Sequence, residues 1–256
     1  MEDRERLHKY IARAGVTSRR KAEELIQQGR VTVNGEIVTT MGVKVDDSDE
    51  VVVDGNPIRP QPMAYVLLNK PTGVVTTLYD PQRRPTIVRY LPDLGIAIKP
   101  VGRLDQDTEG LLICTNDGEL AARLAHPRYN VDKVYQVTVL GLLEDEDIHK
   151  LETGIFIEGK RTAPAKVSLS HRSPEATSFR MTIHEGRNRQ IRRMCEAVGH
   201  PVKVLRRIKI GPVTGRGMRT GEARMLTQEE ISKLKQLVGL VDSVPAPRPK
   251  PGRRRG

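Results

Sequence analysis

The chain contains no Trp, two Phe and six Tyr among its 256 residues. So few rings exclude the rows of aromatic platforms on which general single-strand binders stack bases. An RNA ligand would have to be held by charge and shape. The only cysteines, Cys114 and Cys195, lie far apart, each inside an apolar stretch. They build neither a disulfide framework nor a cysteine zinc site, and both read as small core hydrophobes. No apolar run approaches the roughly 18 residues of a membrane span. Residues 1–6 are charged where a secretory signal would be apolar, so the expectation is a cytoplasmic protein without membrane contact. Gly215-Arg216-Gly217 lacks the spacing of a dinucleotide loop, no Gly-Lys-Ser/Thr phosphate loop is present, and the six His residues show no ligand spacing. Any chemistry is expected to use no cofactor, no nucleotide and no metal.

What is present is positive charge. Lys and Arg total 43 against 32 Asp and Glu, a formal net charge of +11. A polyanion is therefore the first partner to consider. The length suggests roughly two domains. Leu7, Tyr10, Ile11 and Ala14 recur at helical spacing up to Gly15. Ala22, Leu25 and Ile26 repeat the pattern after Thr17 and Ser18, which suit a helix start. Val31-Thr32-Val33 and Ile37-Val38 flank Asn34-Gly35, a hairpin signal, and Val51-Val52-Val53 precede Asp54-Gly55. The helical half carries Arg4, Arg6, Lys9, Arg13, Arg19, Arg20, Lys21 and Arg30. The strand half carries Glu36, Asp46, Asp47, Asp49, Glu50 and Asp54.

Arg59-Pro60-Gln61-Pro62 reads as a linker, after which strand-like runs at 65–68, 111–114, 134–139, 165–169, 179–183 and 202–210 alternate with few helices. This is a mixed α+β pattern and not a regular βαβ series. Ile191, Met194, Cys195 and Val198 mark one face of a late helix that ends at Gly199. A Thr227-Gln228-Glu229-Glu230 capping box opens another over 229–238. The expected division is a first domain over 1–60, a linker at 61–63 and a second domain over 64–240. Residues 241–256, where Pro alternates with cations before Arg253-Arg254-Arg255, are expected to form a disordered basic tail.

Two segments suggest chemistry. In the first, Gly102 and Gly110 bracket a polar loop containing Asp105, Asp107 and Glu109 that feeds an apolar strand. Such a loop holds an acid rigidly at a cleft. The second runs Glu185-Gly186-Arg187-Asn188-Arg189-Gln190-Ile191-Arg192-Arg193-Met194. Its Arg189 and Arg193 lie away from the centre of the apolar stripe. Arg192 lies beside it, and a buried guanidinium there would need an anionic partner.

The opening residues Arg6-Leu7-His8-Lys9-Tyr10, Ser18-Arg19-Arg20-Lys21-Ala22 and Gly29-Arg30-Val31-Thr32-Val33-Asn34-Gly35 resemble the alpha-L RNA-binding domain. Gly102-Arg103-Leu104-Asp105, Thr108-Glu109-Gly110-Leu111-Leu112, Lys133-Val134-Tyr135 and Arg189-Gln190-Ile191-Arg192-Arg193-Met194 resemble, in order, the motifs of the RsuA/RluB family of pseudouridine synthases. Asn69-Lys70-Pro71-Thr72-Gly73 matches that family's first strand and turn, and Thr220-Gly221-Glu222-Ala223-Arg224 favours the RluB branch.

The resemblance implies a small RNA-binding domain followed by a mixed, mainly antiparallel synthase domain. It implies isomerisation of a uridine in ribosomal RNA, of the large subunit or else the small, by a monomer without cofactor. Asp105 is implied as the catalytic carboxylate, either a nucleophile on the ribose or a base at its C2 position, with Arg192 as the cation that orients it. Tyr135 would pack on the uracil and help remove the C5 proton. Leu205 would lie under the base, and Arg103 would enter the space that the extruded base leaves. RNA contacts are assigned to Arg6, Lys9, Ser18, Arg19, Arg20, Lys21, Arg30, Asn34, Arg187, Arg189, Arg193, Arg206 and Arg207, while Asp107 is given no chemistry. Two alternatives are a non-catalytic RNA-binding assembly factor and a glycoside hydrolase using Asp105 and Glu109. The first would have no reason to hold Asp105, Tyr135 and Arg192 as a set. The second sits poorly with +11 and no Trp.

Overall fold

The computed structural model describes residues 4–240; the tail expected at 241–256 lies outside them. The chain begins with β1 (Glu5–Arg6), α1 (Leu7–Arg13) and α2 (Arg19–Gln27). It continues through β2 (Val31–Val33), β3 (Glu36–Ile37), β4 (Lys44–Val45), β5 (Val51–Val53) and β6 (Asn56–Ile58). Leu7, Tyr10 and Ile11 from α1 and Ala22 and Ile26 from α2 meet Val31, Val45, Val51 and Val53 in a core of their own. The Ser18 hydroxyl accepts the Lys21 amide and so caps α2. Asn34 and Gly35 have φ of 52° and 84°, the pair of positive values that a tight two-residue hairpin needs. The Asn34 side chain bonds Asp49 and the Glu50 amide, which joins this turn to the approach of β5.

The larger part contains β7 (Tyr65–Lys70), β8 (Lys99–Pro100), β9 (Glu109–Thr115), α3 (Gly118–Ala125), β10 (Lys133–Leu140) and α4 (Asp145–Thr153). These are followed by β11 (Phe156–Ile157), β12 (Lys160–Arg161), β13 (Lys166–Arg172), β14 (Ala176–Ile183) and α5 (Gln190–Ala197). The last elements are β15 (Val202–Ile210), β16 (Val213–Thr214), β17 (Ala223–Met225) and α6 (Gln228–Leu237). The main sheet runs β13-β14-β10-β15-β9-β7-β17, antiparallel except for β9 beside β15. The mixed, mainly antiparallel expectation therefore holds, and Thr227 and Glu230 form the expected capping box.

Two helices appear that the sequence reading passed over. Asp117 caps α3 by accepting the Glu119 and Leu120 amides, but the helix buries only Leu120 and Leu124. α4 places Asp145, Glu146 and Asp147 in its first turn, where the helix dipole favours anions, and buries only Leu151. Both are short, eight and nine residues, so their apolar faces are brief.

The central strands β7 and β9 are covered on both faces. Val66, Leu68, Leu112 and Cys114 enter one core cluster, and Tyr65, Leu67, Leu111 and Ile113 enter another with α3 and α6. Both cysteines are free and buried, and burial pushes each thiol up to about 12. Among the described residues no helix is long and apolar enough to cross a membrane.

Candidate active site

The parallel pair at the centre of the sheet is short. β9 and β15 match only at Glu109 with Arg206 and at Gly110 with Arg207. Gly110 is required there, because a Cβ on it would lie 2.2 Å from the Arg207 carbonyl oxygen and its φ is 111°. This close approach places the loop before β9 against β15.

That loop is tied to the β7 turn by main-chain and side-chain bonds. Gly73 N–H donates to Gln106 O at 2.8 Å, and Gln106 Nε2 returns a bond to Gly73 O. The Thr76 hydroxyl donates to Leu104 O at 2.6 Å. The Thr108 amide closes a turn onto Asp105 O at 3.1 Å, so Asp105 and Asp107 occupy its first and third positions and their side chains diverge.

A cleft of about 420 Å³ opens beside the loop, lined among others by Asp105, Lys133, Tyr135, Ile191, Leu205 and Arg207. Tyr135 on β10 stands opposite Arg207 on β15, and Val137 stands opposite Leu205, so ring and leucine share one face of the sheet. Tyr135 is 9% exposed. The Asp105 carboxylate makes no hydrogen bond or ion pair with any described residue, although Lys70 and Arg189 both feel its charge. The structure thus gathers Asp105, Tyr135 and Leu205 at one cleft. Arg103 lines it too, exposed and without an ion-pair partner among the described residues.

Arg192 departs from expectation. It is 7% exposed and needs an anion, as anticipated, but its partner is Asp107: Nε lies 3.2 Å from Oδ2, and Nη2 donates to the Asp107 main-chain oxygen at 2.8 Å. Arg189 grips both oxygens of the same carboxylate at 3.1 and 3.0 Å. Partial burial raises the Asp107 carboxyl, but the Arg189 hydrogen bonds and the Arg192 charge outweigh it and hold it below its ordinary value. Asp107, given no chemistry above, is the anchor of the loop. The hint was available in sequence: two arginines facing two acids leave two possible pairings.

Several cations assigned to RNA are engaged within the protein. Arg187 bonds Glu185 and the carbonyls of Lys160 and Arg161. Arg193 pairs with Glu158 and Asn188, and Arg206 with Glu109. Arg207 is 5% exposed and donates to Leu111 O at 2.7 Å, while its Nη1 lies 3.4 Å from the Tyr135 hydroxyl. It is a buried cleft residue, because its strand alternation points it inward. In the N-terminal unit, Arg30 forms a two-bonded pair with Asp54, and Ser18 and Asn34 serve the cap and turn described above. Arg6, Lys9, Arg19, Arg20 and Lys21 are exposed and form no ion pair among the described residues.

Two lysines, one beside the loop acids and one lining the cleft, are further members of the site. Lys70 is fully buried at the end of β7, with Nζ donating to Pro71 O and Val74 O. Burial lowers it to about 8, against the opposing pull of Asp105 and Asp107. Lys133 is likewise lowered to about 8 by burial. A lysine ending a strand buried at all six positions is the sign of Lys70.

Residues 64–197 match the RNA pseudouridylate synthase family, and residues 5–51 match the S4 domain. The chain is 47% identical over 235 residues to the ribosomal large subunit pseudouridine synthase B of Bacillus subtilis (strain 168), spanning 91% of this chain and 96% of that protein. It is 44% identical to an uncharacterized RNA pseudouridine synthase of Aquifex aeolicus (strain VF5), over 92% and 95% of the two chains. A pseudouridylate synthase crystal structure superposes with a TM-score of 0.65 at 36% identity, covering 90% of this chain and 99% of the other. The loop carrying Asp105 and most of the cleft lie within the matched residues, and the chain belongs to the RNA pseudouridylate synthase family.

Proposed function

We propose that this enzyme isomerises one uridine of large-subunit ribosomal RNA, with Asp105 as its catalytic carboxylate and the nucleotide swung out of its helix into the cleft. The similarity to the large subunit pseudouridine synthase of Bacillus subtilis supports the choice of RNA. The reaction breaks N1–C1′, turns the uracil and forms C5–C1′. One proton leaves C5 and one is taken up at N1, so nothing is gained or lost. Asp105 acts either by attacking the ribose or by taking a proton from its C2 position. Both routes require an ionised carboxylate with a free lone pair.

The observation that carries this reading is the contrast between the two acids of the loop. Asp107 is occupied by two arginines, whereas Asp105 faces the cleft without a partner. Tyr135 and Leu205 supply apolar surface for a flat base, and the unpaired Arg103 at the mouth suits the space left in the RNA stack. Swinging a base out costs a few kcal/mol, which contacts between RNA phosphates and exposed cations such as Arg20 and Lys21 would offset.

The test is primer extension after carbodiimide treatment of transcribed large- and small-subunit rRNAs incubated with the protein. One enzyme-dependent stop in the large-subunit RNA is expected. Asp105→Asn should remove it while RNA affinity stays within a few fold. A stop only in small-subunit RNA would move the target, and an active Asp105→Asn enzyme would overturn the role of Asp105.

A further inference from the structure

Strands β13, β14, β10 and β15 have one face in the core and one that enters no apolar cluster. Strand register defines what stands on the open face. Lys166, Thr182, Val134 and Lys209 form one row across the four strands, and Ser168, Arg180, Gln136 and Arg206 form the next. A third row contains Ser178 and Thr138, whose hydroxyls bond each other at 2.9 Å and so confirm that both point to this side.

All four charged residues in the first two rows are cations. Lys166, Arg180 and Lys209 are exposed and form no ion pair among the described residues; Arg206 reaches sideways to Glu109 at 3.4 Å. A groove of about 650 Å³ continues the face from Lys209 to Lys233 on α6, with Asp132 at its edge and Lys233 paired to Glu229. A solvated sheet face of a protein with 32 acids has no need to exclude them from these rows. No ring stands in the first two rows; His171, opposite Ser178 in the third, is exposed at the edge of the face, so bases have little to stack on.

We propose that this open face binds the sugar–phosphate backbone of a double-helical segment of the substrate RNA, apart from the nucleotide in the cleft. Four strands span three inter-strand spacings, about 14 Å. That width suits a flat cationic surface laid on the wide, shallow minor groove of A-form RNA, with the Ser and Thr hydroxyls able to meet phosphate and 2′-OH groups. β15 connects the two sites directly: Leu205 and Arg207 face the cleft while Arg206 between them faces the open side. The RNA that presents the uridine therefore also wraps to the rear of the sheet. The proposal rests on the reading that structured rRNA is the substrate.

The experiment uses the full chain carrying Lys166→Gln, Arg180→Gln and Lys209→Gln together, with circular dichroism to confirm folding. Binding to transcribed large-subunit rRNA is measured over a range of KCl, with a plain RNA duplex as competitor. Three lost phosphate contacts to a duplex, at about 0.9 each, should make the plot of log affinity against log salt shallower by about 2.7. Duplex competition should weaken, while the carbodiimide stop at saturating enzyme persists. Wild-type slope and wild-type competition in the triple variant would overturn the proposal and leave the face to an acidic protein partner. Absence of any stop with the wild-type enzyme would instead refute the rRNA reading, and the slope would still report on the face.

Discussion

Arg192 reaches from α5 to Asp107, with its Nη2 2.8 Å from the Asp107 carbonyl oxygen and its Nε 3.2 Å from the carboxylate. One guanidinium thus binds both the main chain and the side chain of the residue two places beyond Asp105. Distance without hydrogen-bond alignment makes the Nε contact electrostatic, since this atom has no hydrogen-bond partner.

Asp107→Asn keeps the shape and removes the charge. It leaves a largely buried Arg192 without its anion, a change worth up to about 3 kcal/mol. Urea unfolding should show that loss, and kcat should fall about 10- to 100-fold while RNA affinity changes little. Wild-type kcat together with wild-type stability would show that main-chain bonds alone fix the loop.

Gly110→Ala forces a methyl into the Arg207 backbone and places a side chain at φ 111°. The backbone strain alone costs about 1–3 kcal/mol. Because β9 and β15 meet at only two residue pairs, separation there should carry Asp105 away from Tyr135. Product formation should drop more than 100-fold in single turnover; a fully active variant would mean that the strands separate without moving the loop.

Lys70 makes the stability dependent on pH in a defined direction. Burial lowers it from 10.5 to about 8 in the folded protein, so between those values the unfolded chain holds a proton that the folded chain has lost. Stability from this group therefore rises with pH through that window and is flat below about pH 8. Relative to Lys70→Met, the wild type should gain up to about 2 kcal/mol between pH 8 and 9.5 in denaturant titrations. A stability difference independent of pH would show an ordinary lysine.

The N-terminal cations should divide into two groups. Replacing exposed, unpaired Arg20 and Lys21 with Gln should make the salt dependence of rRNA binding shallower by about 0.7 per lost contact. Arg30→Gln breaks an ion pair with Asp54 instead. Its slope should match the wild type; a loss equal to that of Lys21→Gln would return Arg30 to the RNA surface.

Much of this organisation was readable because short-range chemistry decided it. Asn34-Gly35, the Ser18 cap and the Thr227 box need only neighbouring residues, and Leu205 and Tyr135 face the cleft by strand alternation. The same alternation turned Arg207 inward, which composition and charge could not reveal. Ion pairing was the least legible level. Asp105 and Asp107 are alike as residue types, and only the turn between them decides which one Arg192 meets. Likewise, Arg30 and Lys21 look equivalent in sequence until Asp54 is folded beside one of them.

Cys114 and Cys195 carry a practical consequence. A thiol held near 12 is almost never a thiolate at neutral pH, and neither sulfur can be reached from solvent. Alkylating reagents should leave the native protein untouched and react only as it opens, so their rate is a clock for unfolding. A third cysteine placed on the surface would then take a fluorophore alone, with the two native ones left in place.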